Sequence, residues 1–304
     1  MRVFDRNLLQ VLGCPICKQK LELRNEELFC DSCEIGYPIV KGIPILHVKK
    51  DLYDRKYYED GGLVSGESQR SRPAKFIRNI MKKTTPTCRV ISKRSKKVIF
   101  SCFKDNSLTN SERVVLNIGP AKTRDMRKLF KDCGQVLKLS IYLEETADIV
   151  GDVRYLPFQE DTIDFLFIIA VLEHVDDPVK AVMDIRRSLK PGGKVYAEIP
   201  FCRSYHAQPC DFQRYTISGI EKLFENFQCL EKGVASGPGS AMSLALSSFF
   251  PILLSFNNLM WYKFWNRILR LITKPLQYID LLYENNKLAH RFASTLYIFC
   301  KKST

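Results

Sequence analysis

One stretch decides what this chain can fold into: Gly151 to Pro200, GDVRYLPFQEDTIDFLFIIAVLEHVDDPVKAVMDIRRSLKPGGKVYAEIP. Phe165 to Ala170 is an apolar run without alternation, the pattern of a strand buried on both faces. Pro178 suits the first turn of a helix, where its missing N–H costs nothing. Val179, Val182, Met183, Ile185 and Leu189 then predict an apolar stripe at helical spacing. Pro191-Gly192-Gly193 is expected to end the helix, and Lys194 to Ile199 to form a second strand. Strand, helix, turn and strand make a right-handed βαβ unit of a parallel sheet. Ligands of such sheets sit beyond the carboxyl ends of the strands. Here those ends carry Leu172-Glu173-His174-Val175 and Pro200-Phe201.

The order and spacing of these residues resemble the class I S-adenosylmethionine-dependent methyltransferases, in particular the type 11 methyltransferase domain. The matching residues are Gly151-Asp152 with Leu156-Pro157-Phe158, Asp164-Phe165, Leu172-Glu173-His174-Val175 with Asp177-Pro178, and Leu189-Lys190-Pro191-Gly192-Gly193. The resemblance implies an α/β fold, a doubly wound, seven-stranded, mostly parallel sheet over residues 111–304. It also implies methyl transfer from S-adenosyl-L-methionine. Arg113 to Gly119 is the expected first strand and cofactor turn. Family members commonly carry an acidic residue where Asn117 stands, and more glycines than Gly119 alone. The family also ends its second strand on a carboxylate for the ribose hydroxyls; here that place falls on Ser140, with Glu144 nearby. Asp152 matches the family residue beside the adenine amino group, and the competing reading is a turn-forming Asp that caps the next segment. Leu172 and Glu173 complete the expected cofactor contacts. His174 is expected to take or orient the substrate proton, or else to serve as a local cap.

After the fifth strand, Tyr205 to Thr216 contains YH-x-x-P-x-DF-x-RYT, a pattern similar to a subgroup of type 11 methyltransferases. His206 is a second candidate base, and Asp211, Arg214 and Tyr215 are candidate substrate contacts. An internal Asp211–Arg214 pair that shapes the loop is the competing account.

Residues 1–48 have a different character. Cys14-Pro-Ile-Cys17 and Cys30-Asp-Ser-Cys33 are two C-x2-C pairs, a spacing that can complete a tetrahedral, structural Zn2+ site. Leu21-Glu22-Leu23 and Glu27-Leu28-Phe29 predict a hairpin between them. The segment resembles the Trm112-like zinc-ribbon family, through CPIC, FCDSC, Gly36-Tyr37-Pro38-Ile39 and Gly42-Ile43-Pro44-Ile45-Leu46. In that family the small domain accompanies or activates methyltransferases.

Residues 49–110 read as a linker. Twelve Lys or Arg and no Asp or Glu fall between Ser68 and Lys104, within a chain of net charge +14. That run suits RNA phosphates or anionic headgroups, or is a solvated face. An apolar helical insertion is expected at about 238–291. Trp261, Tyr262, Phe264 and Trp265 beside Lys263, Arg267 and Arg270 suit a peripheral membrane contact through 241–272, against a hairpin that covers the site or forms a dimer contact. Met1 to Gln10 lacks a signal peptide's apolar core, and eleven cysteines without one argue against a disulfide framework. The expected place is cytoplasmic, with peripheral association on the membrane as the alternative. The acceptor is expected to be a membrane-associated small molecule, lipid or lipid-linked glycan. RNA is the alternative, as is a non-catalytic binding protein with an eroded cofactor site.

Overall fold

The computed structural model describes residues 3–48, 92–101, 113–119, 135–144, 146–207, 210–283 and 285–303. The N-terminal ribbon supplies β1 (Glu22–Arg24), β2 (Glu27–Cys30), β3 (Ile35–Val40) and β4 (Ile43–Leu46). Then come β5 (Val114–Ile118), β6 (Gln135–Ser140), β7 (Ile149–Gly151), β8 (Ile163–Ile169), β9 (Leu189–Pro200), β10 (Gln228–Ser236) and β11 (Thr295–Lys301). Among the described residues the helices are α1 (Lys93–Ser101), α2 (Pro178–Ser188), α3 (Ile217–Leu223), α4 (Pro238–Leu254), α5 (Leu259–Thr273) and the short α6 (Ile279–Leu282).

Seven strands in the order β7-β6-β5-β8-β9-β11-β10 form the doubly wound sheet expected from the sequence. β11 runs antiparallel to both β9 and β10. β8 lies at the centre, between β5 and β9, and pairs parallel to both. Its apolar run follows from burial on two sides. Phe165 and Phe167 pack on one face with Val98, Ile99, Tyr196 and Tyr297. Leu166 and Ile168 pack on the other with Ala181, Val182 and Ile185 of α2. Strand side chains alternate, so a strand covered by helices on both faces needs apolar residues at every position.

Two details differ from the expectation. The buried face of α2 is Pro178, Ala181, Val182, Ile185 and Ser188. Val179 and Met183 are 57% and 62% exposed. They lie one residue round the helix from the buried stripe, and line a shallow groove with Tyr215, Leu223 and Phe227. The second difference is that β9 begins at Leu189. Its pairing with β8 breaks between Ile163 and Phe165, so Lys190 to Gly193 bulges out of the ladder rather than separating helix from strand. Gly192 has φ +78, a left-handed conformation that suits glycine.

The ribbon is not a bead on a tether. β4 pairs in parallel with β7, through Ile45 with Val150 and Leu46 with Gly151, and so extends the sheet to eleven strands. Leu8, Leu12 and Leu46 join the same apolar core as Leu116 and Phe158. The Gly13 N–H donates to the Pro157 carbonyl and the Gln159 N–H to the Val11 carbonyl. The Lys18 ammonium reaches Asp184 at 2.9 Å. Residues 49–91 and 102–112 lie outside the described residues, and with them most of the basic run. Lys93, Arg94, Lys96 and Lys97 belong to α1, which buries Val98 and Ile99 on the sheet.

Candidate functional site

A cleft of about 410 Å³ opens at the carboxyl ends of β5, β6, β7 and β8. Its walls include Ile118, Gly119, Leu139, Ser140, Glu144, Asp152, Val171 and His174. The volume falls in the range of small-molecule sites, and the walls mix apolar side chains with a few polar groups. Gly119 has φ +112, and a Cβ there would lie 2.7 Å from Val171 Cγ2 and 3.0 Å from the Ile169 carbonyl. No side chain fits, so bare backbone faces the cleft. Ser140 Oγ accepts from the Tyr142 N–H at 3.1 Å. Glu144 lies on the same wall, four residues on. Asn117 is buried within β5, one residue short of the wall.

Asp152 lines the cleft and does two other things. Its carboxylate caps the turn Val153–Tyr155 by accepting from the Arg154 N–H at 2.8 Å. It also accepts from Arg154 Nη2 at 2.6 Å, while Arg154 Nη1 reaches Asp176 at 2.9 Å. Asp152 and Arg154 side chains are only 8% and 7% exposed. Arg154 and Asp176 also line the cleft and were missed in the sequence. The signal is thin: one cation amid acids, with no spacing that marks it as buried.

Leu172 to His174 forms one 3-10 turn. Three residues per turn send three successive side chains in three directions. Leu172 enters the core, His174 faces the cleft and Glu173 is fully buried beside the loop after β9. Leu172 and Glu173, expected as cofactor contacts, are therefore not on the cleft wall.

That loop docks on the same turn. The Phe212 N–H donates to the Glu173 carbonyl at 2.8 Å, and Gln213 Nε2 donates to the carbonyls of Leu172 and Val175. His174 Nδ1–H donates to the Cys210 carbonyl at 2.6 Å. The His174 and His206 rings meet edge to face at 5.1 Å. Asp211 accepts from the His206 N–H at 2.7 Å and forms a two-pronged pair with Arg214. Each nitrogen of Arg214 has acceptors within the loop: Asp211, the carbonyls of Arg203, Ser204 and Gln213, and His206 Nδ1. The guanidinium thus ties the loop together, as the competing account held. Tyr215 packs in the groove beside α2 and α3, not in the cleft.

In the ribbon, the thiols of Cys14, Cys17, Cys30 and Cys33 lie within 4.8 Å of one another. Cys17 and Cys30 sulfurs are 3.4 Å apart, and those of Cys14 and Cys33 3.9 Å. A tetrahedron with Zn–S bonds of about 2.3 Å has edges of about 3.8 Å, so the residues fit that ion. Burial pushes the Cys14 thiol up, but hydrogen bonds from Tyr37 and from backbone N–H groups outweigh it and hold the group at about 7.

Beside the loop stands the α4–α5 hairpin, joined to it by a Ser204–Ser248 hydroxyl contact of 2.7 Å. The Asp280 carboxylate binds the first turn of α4 through the N–H groups of Gly237, Gly239 and Ser240. The hairpin is inverted in polarity. Ser240, Ser243, Ser247, Thr273 and Gln277 are buried in it. Ser243 meets Thr273 at 3.0 Å and Gln277 at 3.3 Å. Phe249, Ile252, Leu253, Phe256, Leu259, Met260 and Trp261 are exposed, Phe256 to 87%. Among the described residues no helix is long and apolar enough to cross a membrane.

Residues 116–197 match the family model described as a methyltransferase domain. Residues 5–42 match that of Trm112p-like proteins. A UPF0434 protein of Shewanella pealeana is 47% identical over 45 residues, which are 14% of this chain and 79% of that protein. One from Shewanella amazonensis is also 47% identical over 45 residues, 14% of this chain and 74% of its own. Among solved structures, the chain is similar to one in the Haloferax volcanii complex containing the Trm112 methyltransferase activator. That match has 14% identity and a TM-score of 0.44 over 74% of this chain and 92% of that one. The Haemonchus contortus phosphoethanolamine N-methyltransferase 2 bound to S-adenosyl-L-methionine gives 17% identity and a TM-score of 0.45. It covers 88% of this chain and 62% of that one.

Proposed function

The chain belongs to the Trm112p-like family through its N-terminal ribbon and carries a methyltransferase domain behind it; from that premise we propose that it transfers methyl groups from S-adenosyl-L-methionine to a lipid or lipid-linked acceptor at a membrane surface. When bound, the cofactor supplies a methyl group on a sulfonium, a reaction that asks the protein to align a nucleophile and exclude water. Gly119 leaves room for the cofactor against the backbone. Ser140 and Glu144 are the groups offered to ribose hydroxyls, and Asp152 the acceptor for the adenine amino group. His174 and His206 stand where an acceptor's proton would be taken or its nucleophile oriented. Asp211 and Arg214 hold His206 in place, and Tyr215 wedges the end of the loop.

The observation that carries the choice of acceptor is the inverted hairpin. Helices that bury their serines and expose their phenylalanines present an apolar patch to whatever lies outside. No Asp or Glu falls between Gly237 and Lys274, while Lys263, Arg267, Arg270 and Lys274 do. Apolar side chains with basic neighbours suit an anionic bilayer surface. The Ser204–Ser248 contact links that surface to the loop carrying His206. The ribbon, with Zn2+ on its four thiolates, acts as a built-in activator in this reading, because β4 supports the strand that precedes Asp152.

The test supplies methyl-labelled cofactor and a total lipid extract. Label moving into the organic phase, and lost with Gly119→Val, is the expected result. A protein that binds the cofactor yet labels only water-soluble acceptors refutes the lipid assignment.

A further inference from the structure

Glu173 is fully buried, and among the described residues neither of its carboxylate oxygens has a hydrogen-bond partner. A buried, unsatisfied carboxylate is costly and needs a compensating group. Two imidazoles face it. Glu173 Oε1 lies 3.6 Å from His206 Nε2 and 3.8 Å from His174 Nε2. Both distances are too long for a hydrogen bond, and both are close to what a shared cation would span. We propose that Glu173, His174 and His206 hold a divalent transition-metal cation at the rim of the cleft, with open positions for an oxygen donor of the acceptor.

Three observations support the site. The three side chains offer ligand atoms within 4.8 Å of one another. Metal–N and metal–O bonds of about 2.0–2.2 Å place neighbouring ligand atoms about 3.0–3.5 Å apart, so each imidazole must draw toward Glu173 by less than about 1 Å. Next, the outer hydrogen bond of His174 has the form that orients a metal-binding imidazole. His174 gives its Nδ1 proton to the Cys210 carbonyl, which leaves Nε2 as the lone-pair nitrogen. His206 Nδ1 lies 3.2 Å from the Ser204 carbonyl, 3.5 Å from Asp211 Oδ2 and 3.2 Å from Arg214 Nη2. Binding a cation at Nε2 therefore requires Nδ1 to give up the Arg214 contact and to turn its own proton to the Ser204 carbonyl. Finally, the donor set has a defined chemistry. Two imidazoles and one carboxylate suit Zn2+ or Fe2+, and three protein ligands leave positions open, unlike the closed four-thiolate ribbon. His174 lines the cleft, so the cation would sit at its edge. The role toward an acceptor rests on the methyltransferase reading; the binding of a cation does not.

The competing arrangement is a protonated imidazole as counter-ion to Glu173, with no metal. Counting metal decides between them. Full-length protein incubated with Zn2+ and passed through a desalting column should carry two equivalents. With Co2+, one site should show the intense thiolate charge-transfer bands of the ribbon and the other only weak ligand-field bands. Glu173→Gln and His206→Ala should each fall to one equivalent and keep the thiolate bands. His206 is a loop residue, so its variant tests the proposal even if Glu173→Gln fails to fold. One equivalent in the unmutated protein overturns the proposal, as does a second equivalent that survives in His206→Ala. Cofactor titration of the same samples separates this failure from failure of the methyltransferase reading.

Discussion

Replacing Asp152 by Ala tests how the cleft wall is held. The substitution removes the acceptor that caps Val153–Tyr155, and caps of this kind are worth about 1 kcal/mol. It also removes one of the two carboxylates that neutralise Arg154, a guanidinium 7% exposed. Orphaning one member of a buried pair costs about 3–5 kcal/mol. Asp176 still holds Nη1 at 2.9 and 3.0 Å, so the low end or below applies to that part. The expected total is about 3 kcal/mol, a large share of the roughly 5–15 kcal/mol of an ordinary domain. Urea unfolding followed by far-UV circular dichroism measures it. The double variant Asp152→Ala/Arg154→Met should regain about 1 kcal/mol or more, because no charge is left stranded. A single variant within about 0.5 kcal/mol of the unmutated protein, or a double variant no more stable than the single, refutes the reasoning. Calorimetry on the folded single variant should show affinity for S-adenosylhomocysteine reduced by about 1–3 kcal/mol, if Asp152 also accepts from the adenine amino group.

Other expectations follow from the same geometry. Cys30→Ser should lose the ribbon's zinc in elemental analysis. It should also speed amide exchange at Val150 and Gly151, since β4 no longer supports β7; unchanged protection there contradicts the joint sheet. Burial lowers the pKa of His47, with Arg154 adding to it and Asp152 and a hydrogen bond to Ile141 opposing. The unfolded chain therefore binds the proton more readily, so stability should fall as pH drops below about 6.5. His47→Gln should remove that component of the slope, and an identical pH profile in the variant counts against it. Phe256→Asp/Trp261→Asp should abolish sedimentation with anionic vesicles while leaving cofactor affinity intact; vesicle binding that persists contradicts the membrane contact.

The sheet was legible because its signals are local. An unbroken apolar run, Pro178 at a helix start and paired cysteines each act through neighbours in sequence. The seven-stranded, mostly parallel sheet followed from the resemblance. What escaped depends on distant partners. Nothing in Ile43 to Leu46 says that its edge pairs with β7. Val179 and Met183 are as apolar as Val182, and only the placement of α2 decides which of them is covered. Arg154 reads as a surface cation until Asp152 and Asp176 close around it. Glu173 sits beside His174, which faces the cleft, and the tight turn Leu172–His174 is what swings it to His206. The serines of α4 were visible, but the inward orientation of Ser240, Ser243 and Ser247 required α5 to be in place.

The central claim is that the cleft beyond β5–β8 holds the methyl donor. Titrating S-adenosylhomocysteine into the full-length, zinc-loaded protein in a calorimeter tests it most directly, with Gly119→Val as the paired control. The account predicts one site per chain in the unmutated protein and no measurable heat in the variant, because a side chain at Gly119 collides with Val171 and Ile169 at the cleft wall. Absence of binding in the unmutated protein, or equal binding in the folded variant, contradicts it.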